Sequence, residues 1–437
     1  MLSRQLSAKL HLNKLKDFRQ EAYALLGCER DTLFELCDAV LLTPALNAFA
    51  ELSLCPAFRR QWPSLYKALQ RGRPDRTSLV QLYMRHLPTE GRWVFAGDHT
   101  AWPRLSAPTL RERTVEHQPN KIPAAKPITV GLGFSTLVAV PEAQGSWALP
   151  LLHERITPEE TPCGKMKAQL AQVCQYTPQR PLVMLDAEYG NAPFVKECAD
   201  VPCDLLFRLR PNLRLYTAPG PYQGNGRPRK HGRAFKLRDA RTWGKPTETL
   251  DVDDPELGHV HVSLYTKLHF EKAADQPLWV VHIERPQARG TRRDPRSLWV
   301  AWVGQAPPPL ADWWKQYLRR FVVDHWYRFL KQRLYWTLPH LKTPEQAECW
   351  SDLMPLITWQ LWLARPITLD KPLPWQKPQA RLSPGRVRQS LGAVLSQIST
   401  PTCAPKRRGK SLGWPTGRVR RMAPRYRIVK KSKKRAR

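Results

Sequence analysis

Three acidic residues and one run of cations carry the chemistry this sequence could perform. Asp98 follows the apolar stretch WVFA, residues 93–96, and Asp186 follows PLVML. Each reads as a carboxylate ending a short buried strand, with Gly97-Asp98 closing the first. Such positions also serve as turn or helix caps. Asp324 lies in WWKQYLRRFVVDHWYRFLKQRL, residues 313–334, which has neither Pro nor Gly and predicts one continuous helix. At ~100° per residue Tyr317, Arg320, Asp324 and Lys331 share one face, with Arg328 beside them. Leu318, Val322, Val323, Trp326, Phe329 and Leu330 form the opposite, apolar side. A carboxylate set among cations suits a metal ion and a polyanion; the same face could equally be solvated and laced with surface ion pairs. Two-metal phosphoryl transfer holds its ions ~3.5–4 Å apart and needs one bridging carboxylate with others on the flanks. Hard ions such as Mg²⁺ prefer such oxygen ligands. Three acids on separate elements meet that minimum.

These residues need a scaffold, and 437 residues can build one with a sizeable core. The net charge is +33, from 70 Lys and Arg against 37 Asp and Glu, which implies a polyanionic partner, first of all nucleic acid. No apolar run is long enough to span a bilayer, and the N-terminus MLSRQLSAKLHLNKL lacks a signal-peptide core. The nine Cys are scattered, match no zinc spacing and read as buried thiols in a reducing cytosol.

Residues 1–90 read as a helical module. DTLFELCDAVLLT and SLVQLYMRHLP have helical spacing, and between them Arg and Lys interleave with Trp62 and Tyr66. That surface suits DNA, or else the module is a scaffold for the next domain. Residues 91–210 alternate strands with one clear helix, 163–177, and PLVMLD is apolar throughout, as a strand buried on both faces should be. Two strand-ending carboxylates then converge at one sheet edge, where open α/β sheets bind ligands. Residues 211–305 read as a β-rich insertion. Its two cationic loops, PGPYQGNGRPRKHGR and RPQARGTRRDPR, could lie along a phosphate backbone. Residues 306–365 hold the helix of Asp324 and a second, Trp-rich one. Residues 366–437 read as a Pro-rich linker, a short helix over 386–400 and a basic tail. From Lys406 onward the tail has fifteen basic residues and no acidic one, which suits non-specific nucleic-acid binding.

Tyr317, Arg320, Asp324 and Lys331 resemble the Y-(2)-R-(3)-E-(6)-K signature of insertion-sequence DDE transposases, with Asp in place of Glu. Asp98 and Asp186 resemble the first two acids of the same family. The order also resembles it: helical N-terminal region, mixed α/β ribonuclease-H-like core, β-rich insertion, third acid, basic tail. The resemblance implies that Asp98, Asp186 and Asp324 bind two Mg²⁺ or Mn²⁺ ions. It implies that Tyr317, Arg320, Arg328 and Lys331 hold DNA phosphates. It further implies cleavage and strand transfer at terminal inverted repeats, a homodimer on double-stranded terminal and target DNA, and a cytoplasmic, nucleoid-associated protein. Asp324 is one methylene shorter than the family's Glu. Glu188, near Asp186, reads as a surface residue or an auxiliary ligand. A metal-dependent nuclease on the same core, and a DNA-binding relative without catalysis, are the alternatives.

Overall fold

The computed structural model describes residues 2–117, 127–222, 224, 226–291, 294–305, 307–407, 413, 415–419 and 422–430. Four helices come first: α1 (Leu2–Ala24), α2 (Arg30–Leu42), α3 (Pro63–Arg71) and α4 (Arg76–Arg85). The core follows as β1 (Val94–Pro103), β2 (Thr114–His117), β3 (Ile128–Ala139), β4 (Leu149–Ile156), α5 (Pro162–Cys174), β5 (Leu182–Leu185), α6 (Ala192–Glu197) and β6 (Asp204–Leu209). β3 runs antiparallel to both β1 and β4, whereas β5 runs parallel to β1 and β6. The spatial order β4-β3-β1-β5-β6 is the mixed sheet of a ribonuclease-H-like fold. All four residues of β5 are buried, as its unbroken apolar sequence requires. Asn191 starts α6 by accepting from the Phe194 N–H, and Thr161 does the same for α5 from Gly164.

The β-rich segment is not a separate body. It supplies β7 (Arg214–Tyr216), β8 (Ala234–Lys236), β9 (Glu248–Asp254), β10 (Gly258–Phe270), β11 (Ala273–Glu284) and β12 (Ser297–Val303). β12 pairs antiparallel with β6, so the insertion extends the core sheet to twelve strands among the described residues. The free edge of β6 offers backbone donors and acceptors, and a returning strand satisfies them.

The 313–334 segment departs from the expected single helix. It forms α7 (Trp313–Leu318), a 3₁₀ turn at Arg319–Phe321, and α8 (Val322–Gln332). Side chains three apart eclipse in a 3₁₀ turn. The tightening aligns Tyr317 with Arg320 and turns both inward, leaving Leu318 and Phe321 exposed. The polar face is therefore split: Tyr317 and Arg320 are buried, while Asp324 and Arg328 stay exposed.

α9 (Pro344–Ala364) is the hub of the helical layer, with Trp350 and Trp359 fully buried. Thr343 and Gln346 form a capping box at its start. α1, α2 and α3 pack against α9, and so does α10 (Pro384–Leu395). The N-terminal helices thus share one apolar core with the sheet. Residues 384–395, grouped with the tail by sequence, belong to this layer: Val387 and Leu391 are buried, and Arg388 donates to Val40 O at 2.9 Å. Among the described residues no helix is long and apolar enough to cross a membrane. Of the basic tail, residues 408–412, 414, 420, 421 and 431–437 lie outside the described residues, as do 223, 225, 292 and 293 of the cationic loops.

Candidate active site

β1 and β5 are parallel with Gly97 opposite Leu185, so the next position on each chain is an aspartate, Asp98 and Asp186. β5 ends there, but β1 does not. β3 keeps pairing with β1 as far as Pro103, with Asp98 opposite Thr136. Asp98 is therefore inside a strand rather than at its end, because the ladder on its β3 side continues after the β5 side opens. The opening lies beyond the carboxyl end of a parallel strand pair, the usual crevice for ligands. After Asp186 the chain turns tightly through Gly190. A Cβ there would lie 2.4 Å from the Arg208 carbonyl of β6, so only glycine permits this turn.

The 3₁₀ turn and α8 close over the two strand positions. The Arg320 guanidinium, 5% exposed, donates to Asp98 Oδ2 at 3.2 Å and to Asp324 Oδ2 at 3.5 Å. The rings of Phe321 and Tyr317 lie 5.0 and 5.9 Å from it, within cation–π range. The buried Arg320 Nε has no hydrogen-bond partner among the described residues. One turn and two turns beyond Asp324, two more side chains reach β1. Tyr327 Oη lies 3.0 Å from the Asp98 carbonyl oxygen and 2.8 Å from Thr136 Oγ1. Lys331 Nζ donates to Thr100 Oγ1 at 2.7 Å. The His99 N–H donates to Asp98 Oδ1 at 2.8 Å.

Burial pushes the Asp98 carboxyl above its usual range. Arg320 and His99 oppose that shift, while the charges of Asp324 and Asp186 reinforce it. Burial acts to lower Arg320, but the net shift is upward, because Tyr317, Asp98, Asp186 and Asp324 all favour its charge. All three acids thus share one field centred on a buried guanidinium. Burial also lowers Lys331, against the attraction of Asp98, and pushes Tyr317 up to about 12.

The sequence-predicted residues are sorted by this geometry. Asp98, Asp324 and Tyr317 all lie against Arg320, and Asp186 stands on the neighbouring strand where Asp98 and Arg320 feel its charge. Lys331 joins them through Thr100. Arg328 stays on the exposed side of α8. Glu188 is exposed and paired with Arg210. Tyr327, His99 and Thr136 escaped the sequence reading, although Tyr327 lies seven residues from Arg320 and three from Asp324, the spacing of one helix face. An all-carboxylate donor set is the right chemistry for Mg²⁺ or Mn²⁺. Among the described residues, however, no three His, Cys, Asp or Glu side chains are grouped closely enough to hold one ion. The positive charge facing the acids is that of Arg320.

The sheet order defines a ribonuclease-H-like chain, with acidic residues at matching positions after β5 and within β1. Residues 23–262 match the profile of the family described as DDE superfamily endonuclease. The chain belongs to that family. Among solved structures it is similar to a piggyBac transposase synaptic complex with hairpin DNA, determined by cryo-electron microscopy. The match has 9% identity and a TM-score of 0.41, and covers 91% of this chain and 82% of that one. No curated protein matches the chain.

Proposed function

We propose that this protein is a DNA transposase of the insertion-sequence type, cleaving terminal inverted repeats and joining them to target DNA. The observation that carries this reading is the placement of Asp98 and Asp186 at equivalent positions of neighbouring parallel strands, facing Arg320 and Asp324. Asp98, Asp186 and Asp324 would hold two divalent ions, Mg²⁺ or Mn²⁺. Such ions supply an activated nucleophile and charge neutralisation in phosphoryl transfer. The protein's own groups do the rest. Arg320 keeps a positive charge against the acids and the incoming phosphate, and Tyr317 backs it with an aromatic face. Lys331, fixed to Thr100, adds a second cation on the same helix face. Arg328, exposed one turn from Asp324, is free to meet a phosphate on the DNA. The helical N-terminal region, the cationic loops and the basic tail would follow the duplex backbone by counterion release. Joining two ends favours a homodimer on the DNA, acting at the nucleoid.

The test is cleavage and joining of the DNA ends that flank the gene, with Mg²⁺ against EDTA. Metal-dependent cleavage that disappears in Asp98→Ala and in Asp186→Ala supports the reading; robust cleavage by both variants overturns it. Cleavage without joining identifies a nuclease, and DNA binding without cleavage a non-catalytic relative.

A further inference from the structure

We infer that Tyr327 is a positioning residue for Asp98, clamping the strand acid to the helix that carries Asp324. This rests on the proposed carboxylate chemistry and adds a residue outside the acids and the signature cations. Tyr327 Oη has one proton and two partners, the Asp98 carbonyl oxygen and Thr136 Oγ1. A carbonyl only accepts. Both contacts are satisfied when Tyr327 donates to Asp98 O and accepts from the Thr136 hydroxyl. Thr136 has then spent its proton and must accept at its second contact, 2.8 Å away at His153 Nδ1. His153 must therefore carry its proton on Nδ1.

The surroundings of His153 favour that state. The ring lies 5.1 Å from Phe134, 5.2 Å from Trp326 and 4.9 Å from Trp336. Burial among these rings pulls its pKa down to about 3, so it is neutral near pH 7. The bare Nε2 has no partner among the described residues. His153 and Tyr83 both line a small cavity of about 20 Å³, and the buried Tyr83 hydroxyl has no partner among the described residues either. The chain His153–Thr136–Tyr327–Asp98 thus has one proton order throughout, fixed by a histidine that cannot easily ionise. It ties the backbone of Asp98 to a point three residues after Asp324. The sheet-borne acid and the helix-borne acid then keep a constant relation.

The test compares wild type, Tyr327→Phe, Thr136→Val and the double variant. Three quantities are read: steady-state cleavage of an end-containing duplex with Mg²⁺, amide hydrogen exchange over residues 97–100, and the ¹⁵N shifts of the His153 ring. Tyr327→Phe should lower kcat by about tenfold to a hundredfold, since ~1 Å of misplacement costs that much. KM should stay within about twofold and exchange at 98–100 should quicken. Thr136→Val should do the same more weakly, and the double variant should be no worse than Tyr327→Phe alone. The wild-type His153 ring should be protonated at Nδ1. Unchanged kcat in Tyr327→Phe, additive losses, or a proton on Nε2 would overturn the inference. If wild type cleaves no DNA while exchange responds as expected, the proposed activity fails and the clamp stands. If wild type cleaves and exchange does not respond, the clamp fails and the activity stands.

Discussion

Asp98 and Asp324 answer to the same guanidinium but are placed by different means. Asp98 sits on a strand paired to β3 at its own position and to β5 one residue earlier, and its side chain is 16% exposed. Asp324 projects from a helix with its side chain 47% exposed, and its contact with Arg320 is the longer of the two. A carboxylate fixed by sheet register has no freedom to compensate for a changed length. One fixed by a side-chain contact at a half-open rim does. The difference predicts opposite tolerance to the same chemical change. Asp98→Glu forces an extra methylene into a packed, register-locked position, where overpacking alone costs about 1–3 kcal/mol. Cleavage should fall by more than ~100-fold, since misplacement of ~1 Å already costs that much. Retention of cleavage by Asp98→Glu would remove the basis of the contrast.

The next largest effect should come from the shared partner. Arg320→Ala leaves Asp98 in its burial without a counter-charge, a change that typically costs about 3–5 kcal/mol. The sign with pH follows from the direction of the Asp98 shift. Its folded pKa is already raised by burial, and losing Arg320 raises it further. A raised acid stabilises the fold while protonated, and that contribution is lost as pH rises through the folded pKa. Urea denaturation should therefore show a larger deficit for Arg320→Ala at pH 8 than at pH 5. Equal deficits would mean that Arg320 matters for packing on Phe321 and Tyr317 and not for the charge of Asp98.

His153 shows burial acting on a base instead of an acid. With its folded pKa lowered to about 3, it binds a proton in the unfolded chain before it does so in the folded one. Its contribution is complete above the unfolded value of about 6.5 and is lost as pH falls toward the folded one. Between pH 6.5 and 4.5 that loss is about 2–3 kcal/mol. His153→Gln should flatten this part of the stability profile, measured as the difference from wild type at each pH. An unchanged slope would show that the ring is reached by solvent protons in the native state.

Much of this arrangement was legible in sequence, and the parts that were not share a cause. The apolar run before Asp186, the strand before Asp98 and the 3.6-residue spacing through α8 are local signals, and each fixed its element. The break at Arg319–Phe321 is not local. There Arg320 turns inward onto Asp98, a partner 222 residues away, whereas Asp324 is its own helix neighbour. The merger of the insertion with the core sheet likewise depends on β12 finding β6 across the chain, and each strand alone only asks for some neighbour. Tyr327 had the right helical phase but is an aromatic among aromatics, next to Trp326. Its role appears only once its hydroxyl is seen against the Asp98 carbonyl.

A smaller effect sharpens the first comparison. Asp324→Glu lengthens the rim acid, which has open space to extend and a single contact to re-form. Cleavage should change by less than about tenfold in either direction, because the clamp through Tyr327 and Lys331 holds α8 on β1 whichever acid it carries. Loss as deep as that of Asp98→Glu would show that the helix is built for the shorter side chain and that exposure is no guide to tolerance.

The smallest effect belongs to the acid that stands nearest Asp186 in sequence but away from the shared field. Glu188 is exposed, and an ion pair joins it to the exposed Arg210. Exposed pairs of long side chains contribute about 0.2–1 kcal/mol because water screens the attraction and ordering both partners costs entropy. Unlike Asp186, whose charge is among the leading ones felt by Asp98 and Arg320, Glu188 is not among the leading charges on either. Glu188→Gln should leave the melting temperature within a degree or two and cleavage within about twofold, with no change in the Mg²⁺ concentration needed for half-maximal rate. A rise in that concentration would make Glu188 an auxiliary ligand. It would also mean that the turn after Asp186 rearranges to bring a rim acid inward, so that side-chain reach, and not sheet register alone, sets the geometry on the strand side of the site.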